Sequence, residues 1–327
     1  MAQKDMQVIC LGNQKGGCSK TTSCLNIAYS YANTKHKRVI LIDADSQGSA
    51  SLNLGINITD ENINTLDVLL GAYVRREIKE FIWEDVKNFI YRPTYMARRR
   101  VPNSTKWETV ELPFGGEEGG CLDVIPSSLP LSLVELQMSI AANGGKVYSY
   151  YLYDLVECLR KTGLWDICII DTPPALGAIS VNSMMASTSG IIIPSNLDLM
   201  SYRGIASFKE SAEYVQETAK AKGIEHRGVI GILLSLYSER RSVDKALEEY
   251  VHEFYPTPTF SQQIRESSDC KRATAEGLLF TQVNKKARED FDKLVDEIDF
   301  AINDKEGWEK KTEEVWNEIK KSREGGN

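Results

Sequence analysis

Lys15-Gly16-Gly17-Cys18-Ser19-Lys20-Thr21-Thr22 is the stretch that decides how this chain reads. The apolar run Val8-Ile9-Cys10-Leu11 precedes it and a helix-like run, 23–32, follows. Strand, glycine-rich loop and helix in that order make a phosphate-binding loop. Backbone N–H groups converge on phosphate oxygens only where no Cβ blocks the approach, a condition that Gly16 and Gly17 meet. The helix that starts near Lys20 adds unpaired N–H groups and the positive end of its dipole. Lys20 is placed to meet the β- and γ-phosphates, and the Thr21 hydroxyl to bind Mg²⁺. The usual pattern, G-x-x-x-x-G-K-[ST], has glycine where this chain has Ser19. If that position needs φ above zero, serine is strained there. An ordinary glycine-rich turn would explain the loop alone, but not the Lys-Thr pair at the helix start together with the carboxylates downstream.

Those carboxylates follow two β-branched runs. Val39-Ile40-Leu41-Ile42 ends in Asp43-Ala44-Asp45-Ser46-Gln47-Gly48, and Ile167-Cys168-Ile169-Ile170 ends in Asp171-Thr172-Pro173-Pro174. Continuous apolar runs read as buried parallel strands. Aspartates at their C-terminal ends lie where open α/β sheets bind ligands. Asp171 has the Walker-B position, and Asp43 and Asp45 can reach the metal and an attacking water. Further strands are expected at 122–125, 191–194 and 229–234, with helices at 20–33, 130–142, 148–162, 203–222 and 242–254. The alternation predicts an α/β fold, a doubly wound and mostly parallel sheet flanked by helices.

These residues resemble the ParA/MinD family of deviant Walker-A ATPases, within the P-loop NTPases of SIMIBI type, and most of all its ParA (Soj-like) partition branch. The family motif K-G-G-x-x-K-[ST] is met from Lys15 to Thr21, with Asn13-Gln14 before it and Thr22 after it. Residues 43–48 are similar to D-x-D-P-Q-G, with Ser46 for proline, and residues 170–174 to the branch's Walker B. Arg240 lies on a family arginine, and Gln263-Ile264-Arg265 where the family has Asn-Val-Arg near the adenine. The resemblance implies ATP and Mg²⁺ as ligands. Lys15, Gly16, Gly17, Cys18, Ser19, Lys20, Thr21, Thr22 and Gln263 would hold the nucleotide. Thr21, Asp43 and Asp171 would serve the metal, and Lys15, Lys20 and Asp45 the catalysis. Lys15 would reach the phosphates of the other subunit in an ATP-bound homodimer. That dimer would bind DNA without sequence preference, and a ParB-like adaptor would stimulate a slow hydrolysis. The implied place is the cytoplasm, on the nucleoid. A MinD-like ATPase at a membrane, or a ParA-type one positioning a conjugation assembly, is the alternative. A nitrogenase-reductase-like redox role would need a cysteine pair, and none stands out.

Composition sets the bounds. The chain has 327 residues, 42% hydrophobic and 26% charged, in keeping with a globular protein. Its net charge of −7 gives no global support for nucleic-acid binding, so any such surface must be local. No apolar run approaches membrane-spanning length, and residues 1–5 show no signal-peptide core. An N-terminal helix-turn-helix domain is not expected before the first strand. The seven cysteines, without a CxxC pair, read as reduced core thiols.

Two regions exceed the core pattern. Residues 1–303 are expected to form the ATPase domain, with an atypical insertion at about 71–120. From Val86 to Trp107 that insertion carries Lys87, Arg92, Arg98, Arg99, Arg100 and Lys106 without an acidic residue, interleaved with Phe89, Tyr91 and Tyr95. A solvated loop or hairpin whose aromatics pack on the domain is the favoured reading, and a nucleic-acid surface the other. Arg240-Arg241, Lys271-Arg272 and Lys285-Lys286 could add to such a surface. Residues 304–327 are expected to be a charged helical tail with Trp308, Val315, Trp316 and Ile319 on one stripe. Its acids and bases nearly balance, so docking on the body or a partner is favoured over a membrane. Gly325-Gly326-Asn327 is expected to fray.

Overall fold

A computed structural model of the chain describes residues 5–100, 107–115, 119–143, 150–196, 199–238, 241–255, 257–267, 269, 273 and 278–324. The strands are β1 (Gln7–Leu11), β2 (Arg38–Asp43), β3 (Thr94–Arg100), β4 (Trp107–Pro113), β5 (Cys121–Ile125), β6 (Ile167–Asp171), β7 (Gly190–Asn196), β8 (Val229–Tyr237) and β9 (Ile264–Arg265). Seven of them form one sheet in the order β5-β2-β6-β1-β7-β8-β9. Every pairing in it is parallel. The expected doubly wound α/β fold is therefore the one found.

Strand residues alternate between two buried layers. Val8, Cys10, Ile40, Ile42, Cys168 and Ile170 face one cluster, which also holds the inner faces of helices Leu66–Val74, Tyr151–Thr162 and Leu199–Ala221. Ile9, Leu11, Val39, Leu41, Ile167 and Ile169 face the other, beneath helices Lys20–Asn33 and Lys285–Asn303. A sheet covered on both faces needs apolar residues at successive positions, which explains the unbroken runs in the sequence.

Register brings the loops together. β1 lies between β6 and β7, and Leu11 pairs with Asp171. On the other side of β6, Asp43 pairs with Asp171. The order reverses at β1, so the loop after it opens into the crevice where such sheets take ligands.

The insertion holds the antiparallel hairpin β3–β4. Tyr95 packs its ring on Phe114 at 4.9 Å and on Tyr29 at 6.4 Å. Tyr91 exchanges both backbone hydrogen bonds with Val124, and Arg92 forks onto Asp123 at 2.7 and 2.9 Å. Lys87 pairs with Glu84. Two of the basic residues are thus committed to intramolecular pairs. Lys106, Arg240, Lys271, Arg272 and 325–327, like the side chains of Arg98, Arg99 and Arg100, lie outside the described residues.

The tail is a helix, Lys305–Glu324, seated on the body. Trp308 is fully buried against Phe260, with ring centroids 5.0 Å apart. Trp316 stacks on His252 of helix Ser242–Phe254, with centroids 3.8 Å apart. Arg323 donates to Glu248 at 2.6 Å and to Glu249 at 3.1 Å. No helix among the described residues is long and apolar enough to cross a membrane.

His252 makes this seating pH-dependent. Burial first, then the nearby Lys320 and Arg323 charges, press its pKa from 6.5 down to about 4. The unfolded chain takes up a proton near 6.5, whereas the folded chain resists until about 4. Stability from this group is therefore complete at neutral pH and is lost as pH falls through that window. The steepest slope is about 1.4 kcal/mol per pH unit. Urea denaturation at about pH 7 and about pH 5 is expected to show a smaller loss in His252→Gln than in wild type. Equal losses in the two proteins would remove His252 as the cause.

Candidate nucleotide site

The loop after β1 curls around the Lys20 ammonium. Lys20 Nζ donates to Asn13 O at 3.2 Å and to Lys15 O at 2.9 Å, and Cys18 Sγ lies 3.7 Å away. Only 7% of Lys20 is exposed. Asn13 holds the rim from below: its Oδ1 accepts from Lys15 N at 3.1 Å and its Nδ2 donates to Pro194 O at 2.8 Å. Asn196, at the end of β7, donates to Gly17 O at 2.7 Å. Lys15 is half-buried at the mouth, while Gly16 and Gly17 are exposed with no atom within 4 Å of where a Cβ would stand. The loop is an open cradle with one ammonium held at its base.

Ser19 stands directly before helix Lys20–Asn33 in the left-handed region, at φ 64° and ψ 23°. The strain anticipated from the sequence is present. A left-handed non-glycine residue costs about 1–2 kcal/mol. Glycine forfeits about 0.5–1 kcal/mol through its freer unfolded chain. Ser19→Gly is therefore expected to raise stability by about 0.5–1 kcal/mol in denaturant unfolding. A loss of stability would show that the serine is not strained.

Asp43 and Asp171 stand side by side and fully buried. Asp43 Oδ2 accepts from Ser51 N at 2.9 Å and Ser51 Oγ at 2.6 Å, and its Oδ1 accepts from Asp45 N at 3.3 Å. Asp171 Oδ1 takes the Cys24 thiol at 3.5 Å, and the Thr21 hydroxyl lies close enough to the same carboxyl group to favour its charged form. Asp171 Oδ2 is buried with no hydrogen-bond partner among the described residues. Burial first, then the adjacent Asp43 charge, drives the Asp171 pKa upward. Burial also raises Asp43, against the Ser51 hydrogen bonds. Two carboxylates crowded in a dry crevice, one with a free oxygen beside a hydroxyl, are a donor set suited to a hard divalent cation. A bound cation reverses the sign of the local electrostatics. Asp45 is half-buried at the edge, where its Oδ1 accepts from Gln47 N at 3.0 Å.

Thr21 and Thr22 open onto a cavity of about 220 Å³, lined also by Asn26, Ser49 and the segment from Leu278 to Phe280. Asn26 Oδ1 holds that segment through Thr281 N at 2.9 Å. A larger cleft of about 1170 Å³ opens beside Gln7, Arg160 and His226, at the opposite edge of the sheet. Volume does not select the site here; the converging loop donors do. Gln263 stands elsewhere, with its amide donating to Glu248, and it does not line the cavity beside Thr21. The remaining residues singled out in the sequence, Lys15 to Thr22 with Asp43, Asp45 and Asp171, come together at one edge. Sequence reasoning missed Ser51, Asn196 and Cys24. Each meets the site through the fold, and only a serine eight residues after Asp43 left any local trace.

The family model "CobQ/CobB/MinD/ParA nucleotide binding domain" matches residues 9–280. The chain is 28% identical over 264 residues to the chromosome partitioning protein ParA of Caulobacter vibrioides, covering 81% of this chain and 82% of that one. Its fold is similar to that of cobyrinic acid a,c-diamide synthase from Mycobacterium smegmatis with bound ATP analog and magnesium. The TM-score there is 0.65 at 20% identity, over 91% of this chain and 96% of that one. It is also similar to apo McdA from Cyanothece, with a TM-score of 0.66 at 19% identity over 90% and 99% of the two chains. A parallel sheet with a two-lysine phosphate loop at its switch point, and a family model spanning most of the length, lead to one assignment: this chain belongs to the CobQ/CobB/MinD/ParA nucleotide-binding family.

Proposed function

We propose that the protein is a Mg²⁺-dependent partition ATPase, a timed switch that segregates DNA. The observation that carries this reading is the pairing of two lysines on one glycine loop with a buried aspartate whose carboxyl group adjoins Thr21 and keeps one oxygen without a hydrogen-bond partner among the described residues. The similarity to a chromosome partitioning ParA supports it.

Each residue has a task in this reading. Gly16, Gly17, Cys18, Ser19 and Thr22 offer backbone donors to the phosphates, with Lys20 as the cation at the base of the loop. Thr21 and Asp171 hold Mg²⁺, with Asp43 behind them. When bound, Mg²⁺ neutralises charge on the transferred phosphoryl group. Asp45, half-buried at the edge, orients the attacking water and accepts its proton. Lys15 reaches the phosphates of a second subunit, so ATP occupancy and dimerisation become one event. Loss of the γ-phosphate then loosens the dimer. The dimer binds DNA without sequence preference through local basic patches, and a ParB-like adaptor triggers hydrolysis on the nucleoid in the cytoplasm.

A MinD-like membrane role is the second reading, and the tail weighs against it. Its apolar stripe is spent on Phe260 and His252, which leaves little to insert into lipid.

Light scattering with and without Mg-ATP tests the proposal. Wild type is expected to dimerise with ATP and to be retained on unrelated DNA at low salt. Lys15→Ala is expected to keep nucleotide binding as a monomer but lose dimerisation and turnover, and Asp45→Ala to persist as an ATP-bound dimer. A Lys15→Ala protein that dimerises and hydrolyses like wild type would overturn the in-trans assignment.

A further inference from the structure

The tail helix Lys305–Glu324 is held by different means at its two ends. At the inner end Trp308 is fully buried against Phe260, and its Nε1 donates to Glu297 Oε1 at 3.1 Å. The same carboxylate accepts from Ser261 N at 2.8 Å and from Gln262 N at 3.0 Å. At the outer end the grip is polar. Trp316 stacks on His252, Lys320 pairs with Glu253 at 3.0 Å, and Arg323 donates to Glu249 at 3.1 Å and to Glu248 at 2.6 Å. The pairs with Glu253 and Glu249 lie at the surface, where ion pairs hold weakly. The pair with Glu248 differs, because that carboxylate is only 2% exposed.

Glu248 is a joint between three elements. Its Oε2 accepts from Arg323 of the tail and from Tyr237 Oη at 3.1 Å, and its Oε1 accepts from the Gln263 amide. Arg323 Nη2 also reaches Tyr237 Oη at 3.4 Å. Tyr237 is the last residue of β8, and Gln263 directly precedes β9. Two residues back along β8, Ser235 pairs with Asn196 of β7 on one side and with Ile264 of β9 on the other. Asn196 in turn donates to Gly17 O in the glycine loop at 2.7 Å. The end of the tail thus touches the sheet edge that carries the loop. It does so at a strand two places from β1, about 10 Å away at ordinary strand spacing.

We infer that the outer end of the tail is a latch on nucleotide binding. Shut, it holds the ends of β8 and β9, and through Asn196 the glycine loop, in the arrangement that takes the phosphates. Lifted, it lets that arrangement loosen. The inference deepens the nucleotide reading and rests on it. Arg323 supplies a cation to a carboxylate that water hardly reaches. Without it Glu248 is a buried charge short of its partner, and helix Ser242–Phe254 opens toward water, drawing on Tyr237 and Gln263. A loosened cradle must be ordered again on binding, so the ligand is held more weakly. The latch has two states because Trp308 keeps the inner end anchored while the last turns lift. The coupling is reciprocal, so nucleotide also keeps the latch shut. A protein that took hold of the last two turns would lower nucleotide occupancy without touching the loop.

The test is Arg323→Ala in the full chain, with Lys321→Ala, at an exposed neighbouring position, as its control. The probe is a fluorescent ADP analogue with Mg²⁺, which leaves subunit association out of the measurement. Arg323→Ala is expected to bind it at least about fivefold more weakly than wild type, and Lys321→Ala to match wild type. In wild type, saturation with Mg-ADP is expected to slow amide hydrogen exchange at residues 316–324 by a similar factor. The exchange measurement uses the unaltered chain, so it decides the matter if Arg323→Ala does not fold. An Arg323→Ala protein that binds the probe within about twofold of wild type overturns the latch, while the nucleotide site stands. So does exchange at 316–324 that Mg-ADP leaves unchanged. A wild type that binds no nucleotide at all refutes the nucleotide reading, and the latch falls with it.

Discussion

Lys20→Ala is expected to weaken ATP binding by about two orders of magnitude or more, enough to abolish it at ordinary concentrations. The ammonium is almost wholly buried and held by Asn13 O and Lys15 O at the base of an open glycine cradle. Truncation removes the central positive charge and leaves two inward carbonyls unpaired, so the pocket changes from attractive to repulsive for a triphosphate. Removing one member of a buried, hydrogen-bonded charge pair typically costs about 2–5 kcal/mol, which is roughly 30- to several-thousand-fold in affinity. Titration calorimetry with a non-hydrolysable ATP analogue measures the loss directly. Lys20→Arg is expected to fail as well, because a planar fork does not fit where a compact ammonium reaches two carbonyls across a tight loop. Affinity in Lys20→Ala within a few-fold of wild type would refute the loop as the triphosphate site.

The second large effect lies far from the nucleotide. Trp308→Ala is expected to destabilise the protein by about 3–5 kcal/mol, the range for emptying a buried indole site. Trp308 is fully buried, packs on Phe260 and donates from Nε1 to Glu297 at 3.1 Å. Beneath it, a Cβ at Gly231 would come within 2.9 Å of the indole and 2.7 Å of Phe260, so β8 is bare at this point to admit the rings. With the anchor lost, the tail helix is held mainly by Trp316 on His252 and by the Lys320 and Arg323 ion pairs to helix Ser242–Phe254. Against a total stability of about 5–15 kcal/mol the loss is severe. Urea unfolding followed by circular dichroism reads it, and limited proteolysis is expected to release the tail first. A loss below about 1 kcal/mol would mean that the tail contributes little to the fold.

Local chemistry made the loop, the strand ends and the sheet type legible. A phosphate loop is contiguous, and each of its requirements falls on a residue within one turn of the next. The apolar runs at 39–42 and 167–170 announced buried parallel strands because both faces of such a sheet are covered. Asp43 and Asp171 stood out for the same reason, as carboxylates at the ends of runs that otherwise exclude charge. Ser19 shows the boundary: the sequence said that a left-handed backbone there would strain serine, and the tertiary structure supplied the φ of 64°.

Other features belong to no single segment. Asn196 meets Gly17 only because β7 lies beside β1, 179 residues away along the chain. Asp171 acquires the Cys24 thiol, and keeps a bare oxygen, only when the loop helix folds over β6. Gln263 was read by position as a nucleotide contact, yet the fold turns its amide to Glu248, a carboxylate that also receives Arg323 from the tail. Helix Lys285–Asn303, the hairpin β3–β4 and the exposed leucines of helix Leu131–Asn143 were likewise set by packing. A hydrophobic period shows that a face is apolar, but only the assembled layers decide what covers it. The sequence by itself determined the glycine loop between a strand and a helix and that strands run parallel, since short-range sterics and hydrogen bonding dictate both. The tertiary structure decided which distant side chains close the site and which apolar faces stay open, because those depend on contacts that the chain makes only after folding back on itself.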